Sequence, residues 1–192
     1  MEVIYNWGIY PKLEANVISH NNAAEVYGLI KDKENVIARG NGRCYGDSSL
    51  QKCIFSTLLL NKIFEFDIQS GVIKCEAGVL LDDILQVVVP KGYFLPVTPG
   101  TKFITIGGAV ASNIHGKNHH KEGAISRYIL SFDLLTESGE VITCSPQSHP
   151  VHFRNTIGGM FIPKVNGKRK CFYTTLMLMA RAENGSLTSA PG

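Results

Sequence analysis

Residues 99–120 read PGTKFITIGGAVASNIHGKNHH. Gly100, Gly107, Gly108 and Gly116 leave the backbone bare at four points, and Ala109, Ala111 and Ser112 keep the stretch between them small. Glycine lets a backbone approach a ligand closely or take positive φ. Asn113, His115, Lys117, Asn118, His119 and His120 then crowd polar groups into one short run. A glycine-rich turn carrying a solvated His/Lys cluster would have the same composition. A second glycine stretch at 39–47, RGNGRCYGD, argues for a ligand loop instead.

Working outward, Asn21 or Asn22 is expected to cap a helix through Ala23 to Lys31, with Ala23, Val26, Tyr27 and Ile30 on one face. Val36 to Arg39 reads as a buried strand running into the first glycine loop. Strands are expected at 54–56, 63–66, 72–77, 93–97 and 129–136. The last pairs with 140–143 through a Ser138-Gly139 turn. Leu80 to Val89 reads as an amphipathic helix stopped by Pro90. Val17-Ile18 is a short strand candidate. Residues 1–16 look irregular, with Trp7 and Tyr10 as anchors. Many short strands and few helices make the class α+β.

Composition bounds the function. Of 19 basic and 16 acidic residues, five basic (Lys164, Lys168, Arg169, Lys170, Arg181) and one acidic (Glu183) lie beyond Met160, leaving 14 and 15 in residues 1–160. That near-neutral body argues against a nucleic-acid partner. Five cysteines, an odd number without C-x-x-C, suggest reduced thiols and a cytoplasmic protein. The N-terminus lacks the pattern of a signal peptide. No apolar run approaches the roughly 20 residues of a transmembrane segment.

The first loop suits a diphosphate. Successive amides in a tight loop form an anion-binding concavity, and arginine adds charge-assisted donors. It is no Walker A, because Gly-Lys-Ser/Thr is missing. It is no Rossmann fingerprint, because G-x-G-x-x-x-G is one residue too long.

RGNGRCYGD at 39–47, PVTPGTKFITIGGAVASNIHGKNHH at 96–120 and SFDLLTESGEV at 131–141 together resemble the PCMH-type FAD-binding domain of the vanillyl-alcohol-oxidase flavoprotein superfamily. Within it, the likeness is to the decaprenylphosphoryl-β-D-ribose 2′-oxidase and sugar-lactone oxidase group. The resemblance runs from about Trp7 to Gly159. It implies two α+β subdomains clamping FAD, incomplete at the C-terminus here. It implies that Ala38, Arg39, Gly40, Asn41, Gly42, Arg43, Cys44, Tyr45, Gly46, Asp47 and Ser48 wrap the diphosphate. Gly100, Thr105, Ile106, Gly107 and Gly108 would lie against the cofactor. Ser112, Asn113, Ile114 and His115 would follow its isoalloxazine and ribityl portion.

Some members of the family attach FAD through a histidine in the first loop. Arg43 stands there, so non-covalent FAD is expected, and His115 is not expected to replace that bond. His115 and His119 stand at i, i+4, but Gly116 and Asn118 argue against a regular helix, so no metal is expected. His119 and His120 would order the loop or line the substrate side. His20, His149 and His152 read as surface residues.

The resemblance implies an oxidoreductase in which a sugar, sugar lactone or polyprenyl-phosphoryl pentose delivers hydride to flavin N5. No catalytic residue is assigned. Residues 1–160 would form the FAD domain. Residues 161–192, a basic tail that does not align with the family and whose folding the sequence leaves open, would mark a break such as a shifted reading frame. The family's substrate domain would then be absent. Two other readings remain open: a non-catalytic FAD-binding module needing a separate substrate domain, and a non-flavin nucleotide-phosphate binder.

Overall fold

The computed structural model describes residues 1–159 and 172–182. The chain opens with β1 (Glu2–Tyr5) antiparallel to β2 (Lys12–Ser19). The sequence of this part looks irregular because its alternation never meets a core: of β1 and β2 only Ala15 is buried. Trp7 and Tyr10 are not core anchors either, being 57% and 81% exposed.

Asn22 caps the next segment, its Oδ1 accepting from Ala24 N at 3.1 Å. A 3-10 turn (Ala23–Glu25) runs into α1 (Val26–Ile30), a shorter helix than the sequence suggests. Val26 and Ile30 pack on Val36, Phe55, Leu60 and Leu135, with Ala23 and Tyr27 beside them. β3 (Val36–Arg39) and β2 both run parallel to β4 (Cys53–Ser56), giving a first sheet ordered β1-β2-β4-β3. Arg39 closes β3, so the first glycine loop leaves from a strand end.

β5 (Ile63–Asp67) and β6 (Val72–Glu76) form a hairpin. α2 (Leu81–Val88) buries Leu81, Ile84 and Val88, one face at helical spacing. Its start is held by Asp83, whose carboxylate accepts from Leu80 N at 3.1 Å. Pro90 is carried in a 3-10 turn that ends at Gly92. The strand expected over 93–97 shrinks to β7 (Tyr93–Phe94); Leu95 and Val97 are buried without a ladder.

α3 (Ile106–Ala111) and α4 (His119–Glu122) follow, then a 3-10 turn at Ile125–Tyr128. β8 (Ile129–Leu135) and β9 (Val141–Cys144) pair as the expected hairpin. α5 (Pro150–Thr156) covers the core with Phe153, stacked on Phe132 at 5.3 Å between ring centroids.

The basic tail changes in meaning here. Within it, β10 (Phe172–Met179) inserts between β6 and β8, antiparallel to both. β11 (Arg181–Ala182) pairs with β7. The second sheet is ordered β5-β6-β10-β8-β9, and Leu176 and Leu178 are buried in its core. Phe172–Met179 of that tail thus supply a central strand of the second sheet. Residues 160–171 and 183–192 of that tail lie outside the described residues.

Candidate functional site

The site is built where β3 ends. Arg39, half-buried, turns its guanidinium back into the protein. Nη1 donates to Asn6 Oδ1 and to Ser49 Oγ (2.9 Å), and Nη2 donates to Tyr5 O (2.7 Å). Burial lowers its pKa, while the neighbouring Cys44 thiol acts the other way. The guanidinium nonetheless keeps its charge, because arginine is not deprotonated in proteins.

Asn6 also donates from Nδ2 to Gly46 O at 2.9 Å, and Trp7 N donates to Cys44 O at 3.1 Å. The turn after β1 therefore clasps both ends of the glycine loop. Gly42 has φ +61°, and a Cβ there would lie 2.2 Å from Arg39 Nη2. Only glycine tolerates both conditions. Arg43 is exposed and lies over the Trp7 ring at 5.0 Å. Ser48 Oγ donates to Tyr45 O at 3.1 Å, and Leu50 N to Asp47 O at 2.9 Å, closing the loop in a turn.

The two glycine stretches meet. Asn41 Nδ2 donates to Phe103 O at 2.8 Å. A Cβ on Gly40 would lie 2.2 Å from Thr105 Oγ1, so the first loop rests on the start of α3. Thr105 caps that helix, accepting from Gly108 N at 3.1 Å.

The second stretch divides. Ile106 and Gly107 are buried, and their amides are consumed by Val79 O (2.8 Å) and Ala77 O (2.9 Å). They anchor α3 to the core. Gly108 is exposed, and Gly100 has open space where a Cβ would be. About 9 Å of helix, six residues at 1.5 Å each, separates Thr105 from the residues after α3.

There Asn113 takes φ +42°, and its Oδ1 accepts from Ser126 N at 3.2 Å. Ile125 N donates to Ile114 O at 2.9 Å, and His115 bridges to Ala124. Gly158 N donates to Val110 O at 3.0 Å, and a Cβ on Gly158 would lie 2.9 Å from Asn113 Cβ. Asn113, Ser126, Phe153, Arg154 and Ile157 line an open cleft of about 250 Å³.

The histidines form a surface group. His115 and His119 rings meet edge-on at 5.3 Å, and His119 Nδ1 lies 3.2 Å from Gly116 O. Gly116 is buried against Thr98 O, and Asn118 Nδ2 donates to Pro96 O at 3.1 Å. This folds the HGKNHH string back on the chain before it. Among the described residues no three His, Cys, Asp or Glu converge to hold a metal. Among them, too, no helix is long and apolar enough to cross a membrane.

The donor set fits FAD. Among the described residues, no backbone carbonyl accepts from the amides of Gly40, Asn41, Gly42 or Arg43. Successive unpaired amides in a tight glycine loop, with a guanidinium behind them, are the donor set an anion-binding concavity needs. Bare backbone at Gly100 and Gly108 leaves room beside it. Asn6, Ser49, the Phe103 carbonyl and Ser126 belong to this architecture and carry no motif that the sequence would reveal.

The comparisons agree. The FAD binding domain family matches residues 11–145. The decaprenylphosphoryl-beta-D-ribose oxidase of Mycolicibacterium smegmatis is 34% identical over 164 residues, covering 81% of this chain and 36% of that protein. The D-lactate dehydrogenase of Anaerostipes hadrus is 35% identical over 89 residues, covering 46% of this chain and 19% of its own. A solved alkyldihydroxyacetonephosphate synthase shares the fold, with a TM-score of 0.71 at 17% identity, over 86% of this chain and 34% of that one. The chain thus spans little more than a third of these relatives at most. On the family match, the chain belongs to the FAD binding domain family, and its fold is the PCMH-type FAD-binding fold.

Proposed function

We propose that the chain holds FAD non-covalently as the cofactor-binding part of an oxidoreductase acting on a sugar, a sugar lactone or a polyprenyl-phosphoryl pentose. The observation that carries the FAD site is the junction of the two glycine stretches, Asn41 on Phe103 O and Gly40 on Thr105. In this reading the amides of 40–43 bind the diphosphate, and Gly100 and Gly108 allow close approach. Ser112, Asn113, Ile114 and His115 line the flavin end. FAD, when bound, supplies a hydride acceptor at flavin N5. The protein's own part is to bind, orient and exclude water.

Non-covalent binding rests on Arg43, which has no nucleophile to offer where some family members carry histidine. The substrate class rests on the oxidase of M. smegmatis, whose name includes a decaprenylphosphoryl ribose.

The test is the absorbance spectrum of the purified chain before and after acid precipitation. Flavin that moves wholly to the supernatant is the expected result. A yellow pellet overturns non-covalent binding. Colourless protein that takes up no added FAD overturns the site.

A second reading has its own support. It is a module that binds FAD without catalysis and works with a separate substrate-binding part; the family match covers only the FAD binding domain. Turnover of a sugar donor with an artificial electron acceptor, by the chain alone, separates the two.

A further inference from the structure

We propose that Asn6 is a positioning residue for the cofactor: through it, the turn after β1 sets the shape of loop 39–47 before the diphosphate of FAD arrives. The inference rests on the FAD reading above.

Asn6 is 2% exposed and both ends of its side-chain amide are hydrogen-bonded. Oδ1 accepts from Arg39 Nη1 and from Ser49 Oγ (3.1 Å), and Nδ2 donates to Gly46 O (2.9 Å). Its neighbours repeat the pattern. Tyr5 O accepts from Arg39 Nη2, and Trp7 N donates to Cys44 O. Three consecutive residues thus fasten positions 39, 44 and 46, at both ends of the loop. The stretch between them, 40–43, is the one whose amides have no backbone acceptor among the described residues.

The reason is entropic. A glycine-rich loop loses more freedom on ordering than any other backbone. A ligand that must order the loop itself binds more weakly than one meeting a loop already ordered. The Asn6 bonds are made within the folded chain, so the ordering is complete before the ligand binds. They also keep the Arg39 guanidinium directly behind Gly42, where its charge reaches the cradle without occupying it.

A satisfied asparagine that merely holds a hairpin would show the same burial, so the test must separate the two roles. Asn6→Ala and wild type are compared as full chains for FAD, ADP and riboflavin binding, by flavin fluorescence and calorimetry. Riboflavin lacks the diphosphate. The expected result is about tenfold weaker FAD and ADP binding, as for loss of a buried hydrogen-bond partner, with riboflavin binding unchanged. Ser49→Ala removes one bond to Asn6 and is expected to weaken FAD and ADP about threefold. It decides the matter if Asn6→Ala does not fold.

Equal weakening of all three ligands, or of none, overturns the role of Asn6 while leaving FAD binding by the wild type intact. A wild-type chain that binds neither FAD nor ADP overturns the FAD reading and this inference together.

Discussion

The two glycine stretches do different work with the same residue. In 39–47 the backbone is held by side chains, Asn6, Arg39 and Ser49, and the amides between the ties stay open. In 105–108 the backbone is held by backbone, with the Ile106 and Gly107 amides spent on Val79 O and Ala77 O. The first glycines give conformational freedom, as at Gly42 with φ +61°. Gly107 gives proximity, letting α3 press on the chain that leaves β6. One stretch is a loop resting on a polar network, the proposed diphosphate loop; the other is a core contact whose outer edge, at Gly108, is exposed.

If that division is right, the largest effect comes from filling the core contact. A Cβ on Gly107 would lie 3.0 Å from Ala77 O and 3.1 Å from Ala77 Cβ. Gly107→Val adds two methyl groups beyond that and is expected to cost roughly 3 kcal/mol. The melting temperature should fall by about 6–12 °C. A melting curve that does not move would break the comparison at its core end.

The thiols sharpen it next. Cys75 is fully buried in the core that α3 also joins, and burial, helped by the adjacent Glu76, pushes its pKa up to about 12. Cys44, in the first loop, is only half-buried. Unfolding returns Cys75 to its ordinary value of 9.0. The unfolded chain therefore releases this proton first, and stability falls as pH rises from about 9 towards about 12, by about 1.4 kcal/mol per unit. Denaturant melts at rising pH check the slope. In a Cys171→Ser background, a thiol reagent should reach Cys44 and Cys53 in the native protein, and Cys75 and Cys144 only on unfolding.

These contrasts also show what the sequence could say. α2 was legible because Leu81, Ile84 and Val88 repeat at helical spacing and Asp83 marks its start. The β8–β9 hairpin was legible from alternation around Ser138-Gly139. That the first loop leaves a strand end was legible, because Val36 to Arg39 reads as a buried run broken by Gly40. α3 was not. Its IGGAVA carries two glycines, each costing about 1 kcal/mol in a helix interior, and it exists because Thr105 caps it and the core grips it.

β1 escaped because it is exposed along nearly its whole length, and most of β2 because its inner face carries only Leu13, Ala15 and Val17, of which Ala15 alone is fully buried. Asn6 escaped for a simpler reason: one asparagine in a turn has no pattern, and its role comes from partners 33 and 40 residues away. β10 was hidden by its neighbours. FYTTLMLM has the composition of a strand, but it sits in a basic tail that resembles nothing else in the family.

A smaller effect tests the seam between the stretches. Thr105 is 2% exposed, and its Oγ1 both caps α3 and meets Gly40. Thr105→Val keeps the shape and removes the cap, and is expected to cost about 1 kcal/mol, or about 2–4 °C in melting temperature. A change in FAD affinity as large as that of Asn6→Ala would mean that the loop depends on α3 more than on the turn after β1.

The smallest effect is the most discriminating. Asn41 sits on the open part of the first loop and ties it to the second stretch by a single bond to Phe103 O. Because that bond is exposed, Asn41→Ala should alter stability by only about 0.5 kcal/mol, close to the error of a melt. FAD affinity should still weaken about threefold, since the bond fixes where the cradle points relative to Gly108. Titration of FAD into both proteins measures it. If stability falls as far as in Thr105→Val, the two stretches fold as one unit and their separate roles disappear. If affinity alone falls, the seam is a matter of aim, and the loop keeps its shape without it.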